Sequence, residues 1–233
     1  MRKTILLISF ITVALAAAAQ EDTVWKDNNL VGHFDEHYCV QKSHKKVKQG
    51  AYQLYYFSKL IALGRYEQGK RSGVWDFYRN GKVEQVYDYT NNKVLKNYPL
   101  KSMVTYQINN TSPGDSITAP VKIGGFMSGF KLMQAYTDYL NNLTGMNGSV
   151  QVDNLISLDE NGEMTGWIVN VKHAEGMRTF KLSFKDVPAE ARIFLPAKVN
   201  NKAVPCVIDF HENGGVTTRR TQVIRVGATY IKP

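Results

Sequence analysis

Three groups of residues have types and spacings from which chemistry can be built. Cys206, Asp209 and His211 put a thiol, a carboxylate and an imidazole close together, the set a thiol catalyst uses. Side chains alternate along a strand, however, so Cys206, Ile208 and Phe210 share one face while Asp209 and His211 share the other. A nucleophile needs its base within about 3.2 Å, and alternation turns these apart. Cys206 therefore reads as a small core residue. His33, His37 and Cys39, with Asp35 and Glu36 nearby, form the second group. Two imidazoles four positions apart can share a helical face, but no second ligand pair follows to complete a zinc site. They read as surface histidines in a loop or cap, and no metal is expected. The third group is Gly124-Gly125. A phosphate cradle would add a lysine and a hydroxyl after the glycines and a strand before them; both are missing, and the pair reads as a turn that demands flexible backbone. Asp159 and Glu160 fall in a hairpin turn, where exposure favours ordinary acidity. No catalytic group is assembled, so neither enzyme activity nor a cofactor is expected; a hydrolase site put together from distant residues is the minority reading.

What remains is the chemistry of backbone and surface. Tyr52, Tyr66, Trp75 and Tyr89 form an aromatic stripe with two readings: packing between stacked hairpins, or a repeat surface for glycan, lipid headgroup or peptide. Ala203, Val204, Cys206, Val207, Ile208, Asp209 and Phe210 belong to an expected strand at 203–210. If that strand is an unpaired edge, its amides and carbonyls can take up an extended peptide. Pro205 removes one donor there and is itself typical of an edge or bulge.

The elements that position these residues begin after an N-terminal export signal. Arg2 and Lys3 precede a mostly apolar run at 5–15 and four small residues, Ala16 to Ala19, so residues 1–19 read as a signal peptide cleaved before Gln20. The apolar run is short for a bilayer span of about 20 residues. An exported protein is expected, periplasmic or associated with the outer membrane. The formal charge of +9 fits acidic protein, anionic lipid or polysaccharide partners better than nucleic acid, because the basic residues are dispersed. Only Cys39 and Cys206 are available for a disulfide. Export permits one between them, although two cysteines do not make a disulfide framework.

The clearest pattern is a 23-residue repeat. Gly50, Tyr52, Tyr55, Lys59, Tyr66, Gly69 and Lys70 recur as Gly73, Trp75, Tyr78, Lys82, Tyr89, Asn92 and Lys93. Each unit predicts two short strands, and in the second they flank Asn80-Gly81, the pair suited to a type I′ hairpin. The segments at 50–56 and 69–82 resemble MORN-type repeats, over about residues 50–93. In the first unit Phe57-Ser58 stands where the turn asparagine and glycine belong. Stacked hairpins need about three units to bury their faces, so residues 23–38, with Trp25, Phe34 and Tyr38, are expected to cap the array.

Residues 99–119 read as a linker, with a polar cluster at 109–116. Beyond it Ser128 is placed to cap a helix carrying Phe130, Met133, Tyr136, Leu140 and Leu143, ended by Gly145. Strands at 150–158 and 164–171 flank an Asn161-Gly162 turn. A short helix follows, begun by Asp186 and Pro188, then the strand at 203–210 and a last one at 221–226. Pro120, Gly124-Gly125, Gly148, the turn at 159–162, Phe194-Leu195-Pro196-Ala197 and the run from Asn200 to Phe210 resemble the C-terminal domain of the TonB family of periplasmic energy transducers. That resemblance implies non-catalytic binding of extended peptides. A transducer's membrane anchor and proline-rich spacer are replaced here by a cleavable signal and repeats, so energy coupling does not follow.

The expected fold is α+β: an N-terminal β-hairpin repeat sheet at 20–98, then a small α/β sandwich-like domain at 120–233 with the order helix, two strands, helix, strand. The expected function is that of a non-enzymatic envelope adaptor binding a protein or peptide segment. The alternative is a structural scaffold whose repeats bind membrane or cell-wall polymer.

Overall fold

A computed structural model describes residues 22–98, 103–109, 111–137, 148–216 and 229–230. The expectations for the signal peptide, for the end of the helix at 138–145 and for a strand at 221–226 lie outside the described residues.

Seven strands come first: β1 (Thr23–Asn29), β2 (Phe34–Gln41), β3 (Lys48–Tyr56), β4 (Lys59–Glu67), β5 (Lys70–Arg79), β6 (Lys82–Asp88) and β7 (Lys93–Asn97). They form one antiparallel meander in chain order, with β1 and β2 supplying the cap expected of residues 23–38. Turn chemistry explains the register. Asn80 (φ 52°) and Gly81 (φ 73°) take the positive angles of a tight hairpin turn. Phe57 and Ser58 adopt the same geometry, with φ 46° and 60°, although neither is a residue that favours it. The Phe57 ring, largely exposed, stacks on His33 at 4.3 Å and meets Tyr56 edge-on at 4.7 Å. The register also shifts at corresponding places, between Leu54 and Tyr55 in one unit and between Phe77 and Tyr78 in the next, 23 residues on. The repeat thus carries its bulge as well as its turn.

The remainder is built mostly from strands: β8 (Val104–Gln107), β9 (Ile117–Thr118), β10 (Val121–Lys122), β11 (Gly148–Leu158), β12 (Met164–His173), β13 (Gly176–Lys181), β14 (Phe194–Leu195), β15 (Ala197–Val199), β16 (Lys202–Val204), β17 (Cys206–Val216) and β18 (Thr229–Tyr230). Six of them make a sheet in the order β18-β13-β12-β11-β17-β8. Two small ribbons, β10-β14 and β16-β15-β9, lie beside it. A π-helical turn, Gly125–Lys131, runs into α1 (Leu132–Ala135).

The expected α/β domain is therefore corrected: the protein is mostly β, with 59% strand and 10% helix, and no helix–strand–helix domain is seen among the described residues. The physical reasons are local. Gly124 and Gly125, at φ 98° and 60°, start the helical segment three residues before Ser128, which sits inside the turn with a buried hydroxyl instead of capping it. Phe130 and Met133 are buried as their spacing predicts. The second expected helix shrinks to one 3₁₀ turn, Ala189–Arg192, because Phe194 is drawn into pairing with Lys122. Pro205 splits the expected 203–210 strand, leaving Ala203 and Val204 in β16 and starting β17 at Cys206.

One apolar core runs through both sheets. The helical segment lies in it, packed on β4 and β5 of the meander, while its Phe130 ring stacks on Phe210 of β17 at 4.5 Å and 8°. At the meander's centre the Trp75 indole lies against Gly64, where an added Cβ would come within 2.1 Å of the ring. The indole N–H is shared between the carbonyls of Arg65 and Ser72, each at 3.2 Å. Gly64→Ala must displace this fully buried ring, and overpacking of that kind costs about 3 kcal/mol. Urea unfolding should show that loss with the slope unchanged; a variant as stable as its parent would mean the contact is slack.

Candidate functional site: a cleft between two strand edges

The site grows from a break in the repeat. In the first unit Ile61 and Ala62 are buried apolar residues; 23 positions later stand Glu84 and Gln85, also buried. A buried polar pair needs partners, and the helical segment supplies them. Glu84 Oε2 accepts the Phe126 amide at 3.1 Å, and Gln85 Oε1 accepts the Gly124 amide at 2.8 Å. Gln85 Nε2 donates to the Lys122 carbonyl and to Asn97 Oδ1, both at 3.0 Å. Gly125 has to be glycine, since a Cβ would lie 2.8 Å from Glu84 Oε2. Burial pushes the Glu84 carboxyl up, against the opposing pull of the Phe126 amide and of Arg79, whose Nε is 3.3 Å from Oε1.

Lys122 is buried beside them. Its ammonium donates to the carbonyls of Ile123 (3.0 Å) and Ile193 (3.3 Å) and lies 4.7 Å from the centre of the Phe194 ring. Burial, aided by the charge of Arg71, pushes it well below the usual lysine range.

These residues border a cleft of about 360 Å³. Asn97 and Tyr98 of the β7 end form one wall and Val104 and Tyr106 of β8 another, while Pro120, Val121, Phe130 and Ile208 supply apolar surface. Among the described residues, β7 and β8 each pair on one side only, with β6 and β17 respectively. Tyr98 and Tyr106 are exposed. The arrangement can take up an apolar, extended chain and hydrogen-bond its backbone.

The residues singled out in the sequence are placed differently. Val207, Asp209, Ile208 and Phe210 are not a free edge, since β8 pairs with all four on one side and β11 on the other. Cys206 is buried, and Ala203 and Val204 lie in the β15–β16 hairpin. Tyr52, Tyr66 and Trp75 are buried, and Tyr89 packs against the same core, so the stripe faces inward. Cys39 and Cys206 are both free and buried. The alternation expected along β17 does hold: Cys206, Ile208 and Phe210 face the core, Asp209 and His211 the other side.

The stripe encloses charge. Lys48 Nζ lies 5.0 and 5.2 Å from the ring centres of Tyr52 and Tyr66 and pairs with Glu36 at 2.6 Å. Arg71, 23 positions on, lies 4.6 and 5.5 Å from Trp75 and Tyr89 and 3.3 Å from Glu190 of the second half. Cation–π contact of this kind strengthens when water is excluded. The signal for it was a basic residue two positions before each repeat glycine.

Searches against protein families, curated proteins and solved structures find no match to this chain.

The buried lysine makes stability depend on pH. Its folded pKa lies below the ordinary value of 10.5, so as pH falls from there the unfolded chain takes up a proton that the folded chain resists. The parent protein should lose stability over that window, and Lys122→Met should not. The melting temperature of the variant relative to the parent should rise as pH is lowered from about 10.5 and level off once Lys122 is protonated in the fold. A difference constant across the alkaline range would contradict the depressed pKa of the buried amine.

Proposed function

We propose that this is an exported binding protein that takes up an extended peptide segment of an envelope partner in the cleft between β7 and β8, acting by recognition and not by catalysis. The observation that carries the reading is the cleft itself, bordered by two strands that pair on one side only. An extended segment there gains main-chain hydrogen bonds from a strand edge and buries alternate side chains against Val121, Phe130 and Ile208. The signal-like residues 1–19 support export. The hairpin meander, MORN-like in its repeat, serves in this reading as the platform that holds one wall of the cleft through Glu84 and Gln85. The scaffold alternative has less to draw on, because Tyr52, Tyr66 and Trp75 are buried and Tyr89 is partly buried against the same core.

The test is selection of bound sequences from a displayed library of extended peptides, followed by fluorescence anisotropy with the processed chain. Tyr98 and Tyr106 are 54% and 42% exposed, so Tyr98→Ala and Tyr106→Ala should leave the melting temperature nearly unchanged while each weakens peptide binding about tenfold, as truncation of an aromatic anchor does. Ala119→Trp, which puts bulk into the cleft, should abolish it. Selected peptides that bind parent and variants equally well would place recognition elsewhere.

A further inference from the structure

On the face of the six-stranded sheet turned away from the core, β11 and β17 bring together three side chains that the cleft does not use. Asp153 lies opposite His211 in the antiparallel register, and Asp209 precedes His211 by two on the same face. His211 Nδ1 is 2.9 Å from Asp153 Oδ1 and 3.5 Å from Asp209 Oδ1, and the three ligand atoms all lie within 4.8 Å of one another. One imidazole nitrogen has one proton to give, and here two carboxylates face it. Asp153 takes the hydrogen bond; Asp209 Oδ1 is buried from solvent with no hydrogen-bond partner. Lys172, half-exposed, reaches Asp153 Oδ2 at 3.5 Å and acts on Asp209 only through its charge at longer range. An orphaned buried acceptor beside a second carboxylate is an expensive arrangement unless a cation completes it.

We infer that Asp153, Asp209 and His211 bind a divalent first-row transition cation. Around an ion with bonds of about 2.1 Å, neighbouring ligands stand about 3.0 Å apart at right angles and about 3.4 Å apart in a tetrahedron, the separations found from Nδ1 to the two carboxylate oxygens. Two carboxylate oxygens and one imidazole nitrogen suit zinc or manganese and balance the charge of a dication. Binding places the Nδ1 lone pair on the metal, so the ring proton resides on Nε2. Both strands are interior in the sheet, which holds the ligands on rigid backbone and leaves the outer coordination positions to water.

The processed full-length chain, freed of metal by chelation and dialysis, should take up one zinc ion in isothermal titration at neutral pH, with X-ray absorption reporting an oxygen and nitrogen shell that includes one imidazole and no sulfur. Asp209→Asn keeps the shape of the side chain and removes its charge, and it should weaken zinc binding at least tenfold without lowering the melting temperature of the metal-free protein. Asp153→Asn and His211→Gln should do the same to binding; if either unfolds the sheet, Asp209→Asn decides alone. His37→Ala tests the exposed His37–Asp27 pair and should change nothing. No zinc uptake, uptake indifferent to Asp209→Asn, or uptake lost with His37→Ala would overturn the assignment. Peptide binding read through Tyr98 and Tyr106 is independent of this result.

Discussion

The two large sheets bury their apolar sides against one short helical segment, and the polar contacts that seat it determine where the rest of the molecule lies. A segment this short, seven residues followed by four, has little stability of its own, since helix nucleation is costly. Here its first amides are held by side chains from the meander: Gly124 by Gln85 and Phe126 by Glu84. The far end of the same segment supplies Phe130, which stacks on Phe210 of the second sheet. A buried carboxylate and amide would weigh against folding if left alone. Matched to these amides, they instead favour this docking of the two halves, which leaves the β7 and β8 edges facing a common cleft.

Charge is handled in the meander by the same logic of enclosure. Lys48 and Arg71 occupy equivalent repeat positions and sit over equivalent rings, Tyr52 and Tyr66 in one unit, Trp75 and Tyr89 in the next. Only their acidic partners differ. Lys48 uses Glu36 of β2, within the meander, whereas Arg71 uses Glu190, more than a hundred residues away. Tyr66 also donates to Glu190, so the 3₁₀ turn of the second half is tied to the repeat by a buried cation and a phenol. The last repeat unit therefore ends against the second half of the chain, which solves the problem that two units cannot cover their own faces.

The repeat and its turns were legible in the sequence because they depend on local chemistry: a 23-residue period, Asn80-Gly81, and aromatic residues two positions after a glycine. The hairpin at Phe57-Ser58 shows the limit of such signals, since Tyr56 pairs with Lys59 and a two-residue loop between them takes positive φ even where its residue types disfavour it. The helices of the second half were misjudged because apolar spacing there is compatible with burial in any form. Gly124 and Gly125 moved the start, and long-range pairing of Phe194 with Lys122 converted an expected helix into a turn and a strand. The part of the expected edge at 207–210 is covered for a related reason, while Ala203 and Val204 lie in β16, which pairs on one side with β15. Val104, Thr105 and Tyr106 favour a strand, but four residues do not reveal which strand they will cover, and β8 comes from within the stretch that read as linker. The substitution of Glu84-Gln85 for Ile61-Ala62 was visible in the repeat, and a polar pair at two otherwise apolar positions was the available pointer to the cleft.

β17 connects the two proposed sites by geometry alone. Its inward side chains, Ile208 and Phe210, reach the cleft and the helical segment, while Asp209 and His211, one position out of step, face the opposite side. The same backbone is bonded to β8 through Val207 to Phe210, and the His211 amide donates to the Met103 carbonyl at 2.7 Å, just before β8 begins. Strand alternation thus lets five consecutive residues serve a core, a cleft wall and a charged cluster without competing for space. The two faces thus share one strand's backbone while no side chain belongs to both, which is why occupancy of one can be tested without disturbing the other.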